Sequence, residues 1–143
     1  VFCFVGFDGT AEELGLSGRN IWYLPTGPHL DLDRMCHEHY DRPWRQDGNM
    51  LLFVGFPAAK DPLYSKNHPG KSNAIIITEA KPEWFEPEKY GDKQSMKRGD
   101  GYLEIKERFR GRMLEGLFSL RPDLRDHVEY VELASPLSNQ YYL

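Results

Sequence analysis

Between Gly101 and Leu120, Tyr102, Ile105, Phe109, Met113, Leu117 and Leu120 recur at three- or four-residue spacing. That is the helical period, and Leu114 and Phe118 flank the stripe. Arg108, Arg110 and Arg112 with Glu104 and Glu107 fall on the outer side, and Pro122 supplies a stop. The spacing therefore predicts one long amphipathic helix. A stripe of that length must be buried against something, which makes the rest of the chain its packing partner.

The partner surface reads as short strands. Val1–Phe7 is a continuous apolar run closed by Asp8-Gly9, as expected of a buried strand. Asn20–Leu24 is a second, Met50–Phe56 a third closed by Pro57, and Ser72–Thr78, with three consecutive isoleucines, a buried fourth. His127–Leu133 is a fifth. Thr10 and Glu13 have the spacing of a capping box, but Gly15 and Gly18 keep the helix after it short. His29–Tyr40 carries a weak helical period, and Ala58–Lys71, with Pro62, Pro69 and Gly70, reads as a loop. Glu83–Tyr90 is expected to form a helical turn with Trp84, Phe85 and Tyr90 inward, and Asp123 to start one further turn. The order β-α-β-α-β-β-α-β predicts an α/β or α+β fold, a mixed sheet with helices, in one 143-residue domain. Both ends have the look of a cut, which predicts a piece of a longer protein.

Several function classes are disfavoured. A net charge of −4 does not suit a general nucleic-acid binder, and the basic residues of Lys93–Arg98 read as a solvated turn. Cys3 and Cys36 cannot build a disulfide framework, and Cys3 reads as a small buried hydrophobe. This cysteine usage fits a reducing compartment. No run approaches the length of a membrane span, and no charged n-region precedes the first apolar run. Gly6-Phe7-Asp8-Gly9 lacks the spacing and third glycine of a dinucleotide loop. Cys36-His37-Glu38-His39, with His29, holds the atoms of a soft-metal site, but His37 and His39 diverge on a helix. They are expected to be surface histidines. No catalytic residue and no metal site is predicted.

The aromatic residues are more informative. Phe53 and Phe56 on the third strand, Trp84 and Phe85 after the fourth, and Tyr141 with Tyr142 at the end are the kind of set that lines a pocket for a hydrophobic ligand.

Three stretches carry a resemblance. Phe53-Val54-Gly55-Phe56-Pro57-Ala58-Ala59-Lys60-Asp61-Pro62 and Ser135-Pro136-Leu137-Ser138-Asn139-Gln140-Tyr141-Tyr142-Leu143 are the more specific, and Phe4-Val5-Gly6-Phe7 followed by Leu14-Gly15-Leu16 is weaker. On them the chain resembles the retinol saturase family, within the phytoene desaturase and carotenoid isomerase group of FAD-dependent oxidoreductases. The segments match in order over most of the chain, apart from Pro25–Gln46 and Lys81–Arg98.

The resemblance implies a substrate-binding domain whose sheet covers the flavin and lines a tunnel for a retinoid or related polyene. The reaction would be reduction of a double bond, with isomerisation or desaturation as alternatives. FAD would be bound mainly by a Rossmann-type domain outside this chain, with NAD(P) as a further cofactor candidate, and the isolated chain would be inactive. Phe53, Phe56, Trp84 and Phe85 become substrate-binding candidates, and Ser135, Asn139 and Tyr141 candidates for the junction of flavin and substrate. The same resemblance implies the endoplasmic reticulum or another membrane periphery, with peripheral membrane contact by the full-length protein. A non-enzyme alternative of related architecture is a prenyl-protein escort or lipid-binding module.

Overall fold

The computed structural model describes residues 1–24, 31–41, 50–85 and 100–142. His29, Tyr90 and the Lys93–Arg98 loop lie outside them. Five strands, β1 (Phe2–Asp8), β2 (Ile21–Tyr23), β3 (Leu52–Gly55), β4 (Lys71–Ile77) and β5 (Val128–Ala134), form one sheet in the order β2-β3-β4-β1-β5. Each described pairing is antiparallel. With helices α1 (Leu32–Asp41), α2 (Tyr64–Asn67), α3 (Asp100–Leu120) and α4 (Pro136–Tyr142), this is an α+β fold.

The stripe of α3 packs on one face of the sheet. Tyr102, Ile105, Phe109, Met113, Leu117 and Phe118 are buried, so Phe118 belongs to the face itself rather than its flank. Beneath them lie Cys3, Val5 and Phe7 of β1, Ala74 and Ile76 of β4, and Leu52 and Val54 of β3, in one core with Phe56 and Phe85. On the solvent side of α3, Glu104 bonds Arg108 at 2.7 Å, and Arg110 Nε donates to Glu107 at 2.8 Å. Exposed pairs of this kind contribute a few tenths of a kcal/mol each, so the buried stripe is what holds α3 in place.

Two glycines of α3 report how closely it lies. A methyl group on Gly111 would meet nothing, whereas one on Gly116 would collide with the buried side chain of Leu52. Gly111→Ala is therefore expected to stabilise by about 0.5–1 kcal/mol, through helix propensity. Gly116→Ala should destabilise, because overpacking costs about 1–3 kcal/mol against a propensity gain of about 1. Denaturant melts of the two variants check the pair, and shifts of the same sign would rule out the close approach.

Local chemistry explains the connections. Thr10 and Glu13 form the capping box: Glu13 Oε2 accepts from the Thr10 N–H at 2.8 Å, and the Glu13 N–H donates to Thr10 Oγ1 at 3.2 Å. Gly15, at φ +58°, ends this single turn. Leu16 N–H then bonds Ala11 O at 2.7 Å and Gly15 N–H bonds Glu12 O at 3.0 Å, the Schellman arrangement. The turn is never extended into a helix.

One expectation needs correction: the loop expected over Ala58–Lys71 contains the one-turn helix α2, and a 3-10 turn, Pro57–Ala59, leads into it. The stretch that holds the junction candidates is helical over Pro136–Tyr142. Ser135 precedes Pro136 at the first helical position, where the missing N–H costs nothing, and Ser135 O accepts from Ser138 N–H at 3.0 Å.

Candidate functional site

Strand parity divides the sequence-derived candidates between the two faces of the sheet. In β3 the residues Leu52, Val54 and Gly55 are buried while Phe53 is half-buried, and Phe53 stands opposite Ile77 of β4 and Trp22 of β2. Phe56 lies three residues on and points into the core. Trp84 and Phe85, in the 3-10 turn Pro82–Phe85, also pack on the α3 side: Trp84 stacks on Phe109 at 6.1 Å, and Phe85 meets Phe109 at 5.6 Å. Of the four substrate-binding candidates, only Phe53 is on the face turned away from α3.

That face is apolar. Paired residues across a sheet share a side, so one row runs Trp22, Phe53, Ile77, Phe2, Ala134. The next runs Gly55, Ile75, Phe4, Glu132, and the third Asn73, Gly6, Tyr130. Trp22 meets Phe53 edge-on at 5.2 Å, and Phe2 stacks with Phe4 at 6.4 Å. Trp22 is 66% exposed, Phe4 43% and Tyr130 58%. At the third row the Pro57–Ala59 turn closes over the sheet, the Ala58 N–H donating to Asn73 Oδ1 at 2.9 Å. The open surface is thus a platform of large apolar side chains with a polar limit at one end. Contiguous patches of this kind on a soluble chain mark binding or docking surfaces.

The junction candidates lie elsewhere. Ser135 is fully buried, and its Oγ is 2.7 Å from the Tyr102 hydroxyl, so it ties the start of α4 to α3. Asn139 is half-buried on α4, and Tyr141 is 63% exposed. The described contacts do not bring these three to the open face.

The histidines expected at the surface divide. His37 is exposed and its Nδ1 donates to Asp33 O at 2.7 Å. His39 is only 7% exposed, because α1 turns it onto Trp84 and Phe109. Its Nε2 donates to Glu79 O at 2.9 Å, which leaves Nδ1 as a bare buried acceptor with no partner among the described residues. Beside it is a cleft lined by Met35, Cys36, Tyr40, Leu51, Thr78 and Glu79, with room for about one water molecule and none for a polyene. Tyr40 donates to the Glu79 carboxylate, which pushes its hydroxyl up to about 12. Burial likewise pushes the Cys3 thiol up to about 12, which makes it an inert core residue. Among the described residues no three His, Cys, Asp or Glu side chains converge as a metal site would require.

Burial lowers the His39 imidazole below its ordinary value; the bond to Glu79 opposes the shift, and the charge of Arg112 adds to it. The unfolded chain therefore takes up the proton first as pH falls. The contribution of His39 to stability is complete above the ordinary histidine value and declines as pH drops through it towards the lower folded value. Melting temperature should fall from pH 7.5 to 5 in the native chain and change less in His39→Gln. Equal slopes in the two would remove His39 as the cause.

A packed face and an opposite apolar face, both built by one chain, define a class: an α+β unit with a long helix on one side of its sheet and an open apolar surface on the other. The sequence comparisons name the relatives. The chain is 34% identical over 142 residues to all-trans-retinol 13,14-reductase of Danio rerio, covering 98% of this chain and 23% of the relative. It is 34% identical over 143 residues to the Homo sapiens protein of the same name, covering 98% and 22%. An inactive all-trans-retinol 13,14-reductase of Danio rerio matches at 31% over 137 residues. The chain is thus related to the all-trans-retinol 13,14-reductases along nearly its whole length, and it spans less than a quarter of theirs. No family model and no solved structure matches. Among the described residues, no helix is long and apolar enough to cross a membrane.

Proposed function

We propose that this chain is the substrate-side domain of a flavin-dependent oxidoreductase that reduces a double bond of a retinoid or related polyene. The observation that carries the reading is the open apolar face formed by Trp22, Phe53, Ile77, Phe2, Ile75 and Phe4. A polyene has almost no hydrogen-bonding groups, so its site must be a long apolar surface that excludes water. These six side chains supply one apolar wall of such a site, to be closed by polypeptide outside this segment, and the similarity to retinol 13,14-reductases supports the substrate class.

The fit to FAD is divided. Gly9 N–H, in the glycine-bounded turn after β1, is already bonded to Gly70 O at 2.8 Å, so that amide is not free for a pyrophosphate. The open face suits a planar ring or an extended hydrocarbon instead. When bound, mainly by polypeptide outside this segment, the flavin supplies hydride chemistry, with NAD(P) as candidate reductant. The residues of this chain hold the polyene flat, orient it and keep water away.

The test is to purify the longer polypeptide that carries this chain, measure bound flavin, and supply all-trans-retinol with a reductant. The expected result is stoichiometric flavin and loss of one double bond. Retinol returned unchanged by a flavin-free protein would point to a lipid carrier instead.

A further inference from the structure

We propose that the free edge of β5, from Tyr130 to Ala134, accepts one further strand contributed by the same polypeptide outside this segment. The inference rests on the reading of this chain as part of a longer protein, whose relatives have more than three quarters of their length outside the matched region.

The sheet ends differently at its two edges. At one edge β2 has three residues, and short edge strands are a common protection against unwanted pairing. At the other, β5 has seven residues and, among the described residues, a single neighbouring strand, β1. Its usual protections are weak: Val128–Ala134 contains no proline and no lysine. Its two carboxylates are already engaged, Glu129 by Lys71 at 2.7 Å and Glu132 by Lys106 at 3.3 Å. A register shift between Gly6 and Phe7 leaves Glu129 as the extra residue, which confines the irregularity to the start of the strand. From Tyr130 onward the ladder against β1 is regular, so alternate residues turn their backbone N–H and C=O outward, with no strand opposite them among the described residues.

The apolar rows of the open face also run out at this edge. The first ends at Ala134, and in the second Phe4, 43% exposed, has only Glu132 beyond it. A further strand with alternating apolar residues would satisfy the backbone and extend the platform beside Phe2 and Phe4. Strand addition of this kind takes its affinity from main-chain hydrogen bonds and its specificity from alternate side chains.

Residue-resolved hydrogen exchange on the full polypeptide, run alongside its retinol turnover, tests the inference. Expected are slow amides at every position from Tyr130 to Ala134, independent of protein concentration. Alternate amides exchanging faster than their neighbours by on the order of a hundredfold would mean a bare edge and overturn the proposal. Slow amides that become fast when the protein is diluted to a monomer would assign the edge to a second copy and overturn it too. Turnover separates this outcome from the functional reading: an active enzyme with a bare edge loses only the added strand, and an inactive protein with a protected edge loses only the substrate assignment.

Discussion

Phe4→Asp in the full polypeptide is expected to reduce retinoid turnover by about a thousandfold while leaving this domain folded. A carboxylate enclosed in a dry apolar site costs several kcal/mol, and each 1.4 kcal/mol or so is tenfold in rate. In the domain alone Phe4 is 43% exposed on the face opposite α3, so there the same change costs about 1 kcal/mol, through lost strand preference and lost stacking on Phe2. Turnover and a melting curve on the same variant separate the two effects. Unchanged turnover would leave the face in water and remove it from the site.

The reverse pattern is expected on the other side of the sheet. Phe109 is 1% exposed and joins Phe85, Trp84 and His39 under α3. Phe109→Ala should cost about 3–5 kcal/mol of stability, a large part of the 5–15 kcal/mol typical of a whole domain. Loss of folded protein, seen by circular dichroism and by expression level, is the expected result. A near-native melting curve would mean that the cluster is not the core.

The sequence made the large features legible because they rest on periodicity. The α3 stripe, the five strands and the capping box at Thr10 follow from spacing and are found within a few residues of where the spacing puts them. Continuous apolar runs such as Val1–Phe7 and Ala74–Ile77 imply strands buried on both faces. Described elements cover one face and, on the other, only the row of Asn73, so the pattern itself points to something lying over the rest.

The candidate site was read less well. Phe53 and Phe56 were grouped by proximity in sequence, although an odd separation within an extended stretch sends them to opposite faces. Trp22, Phe2, Phe4, Ile75 and Ile77 were missed because only pairing across four strands assembles them. Alternation combined with strand pairing could have found the row, but register over long loops is not written in any local signal. His39 was expected at the surface because its neighbours are polar, and the burial that overturns this comes from Trp84 and Phe109, remote in sequence. Ser135-Pro136, a serine whose Oγ accepts from the Ser138 N–H followed by a first-position proline, is a helix start visible in the sequence that was not read as one.

The central claim, that the open sheet face lies against the reacting ligand, is tested most directly by placing a photoreactive phenylalanine analogue at Phe53 in the full polypeptide and irradiating it with bound retinoid. The account predicts a covalent adduct between position 53 and the retinoid, reduced by competing unlabelled retinoid, and none from the same analogue at Phe56, which is buried under α3. An adduct from position 56 and none from position 53 would contradict it.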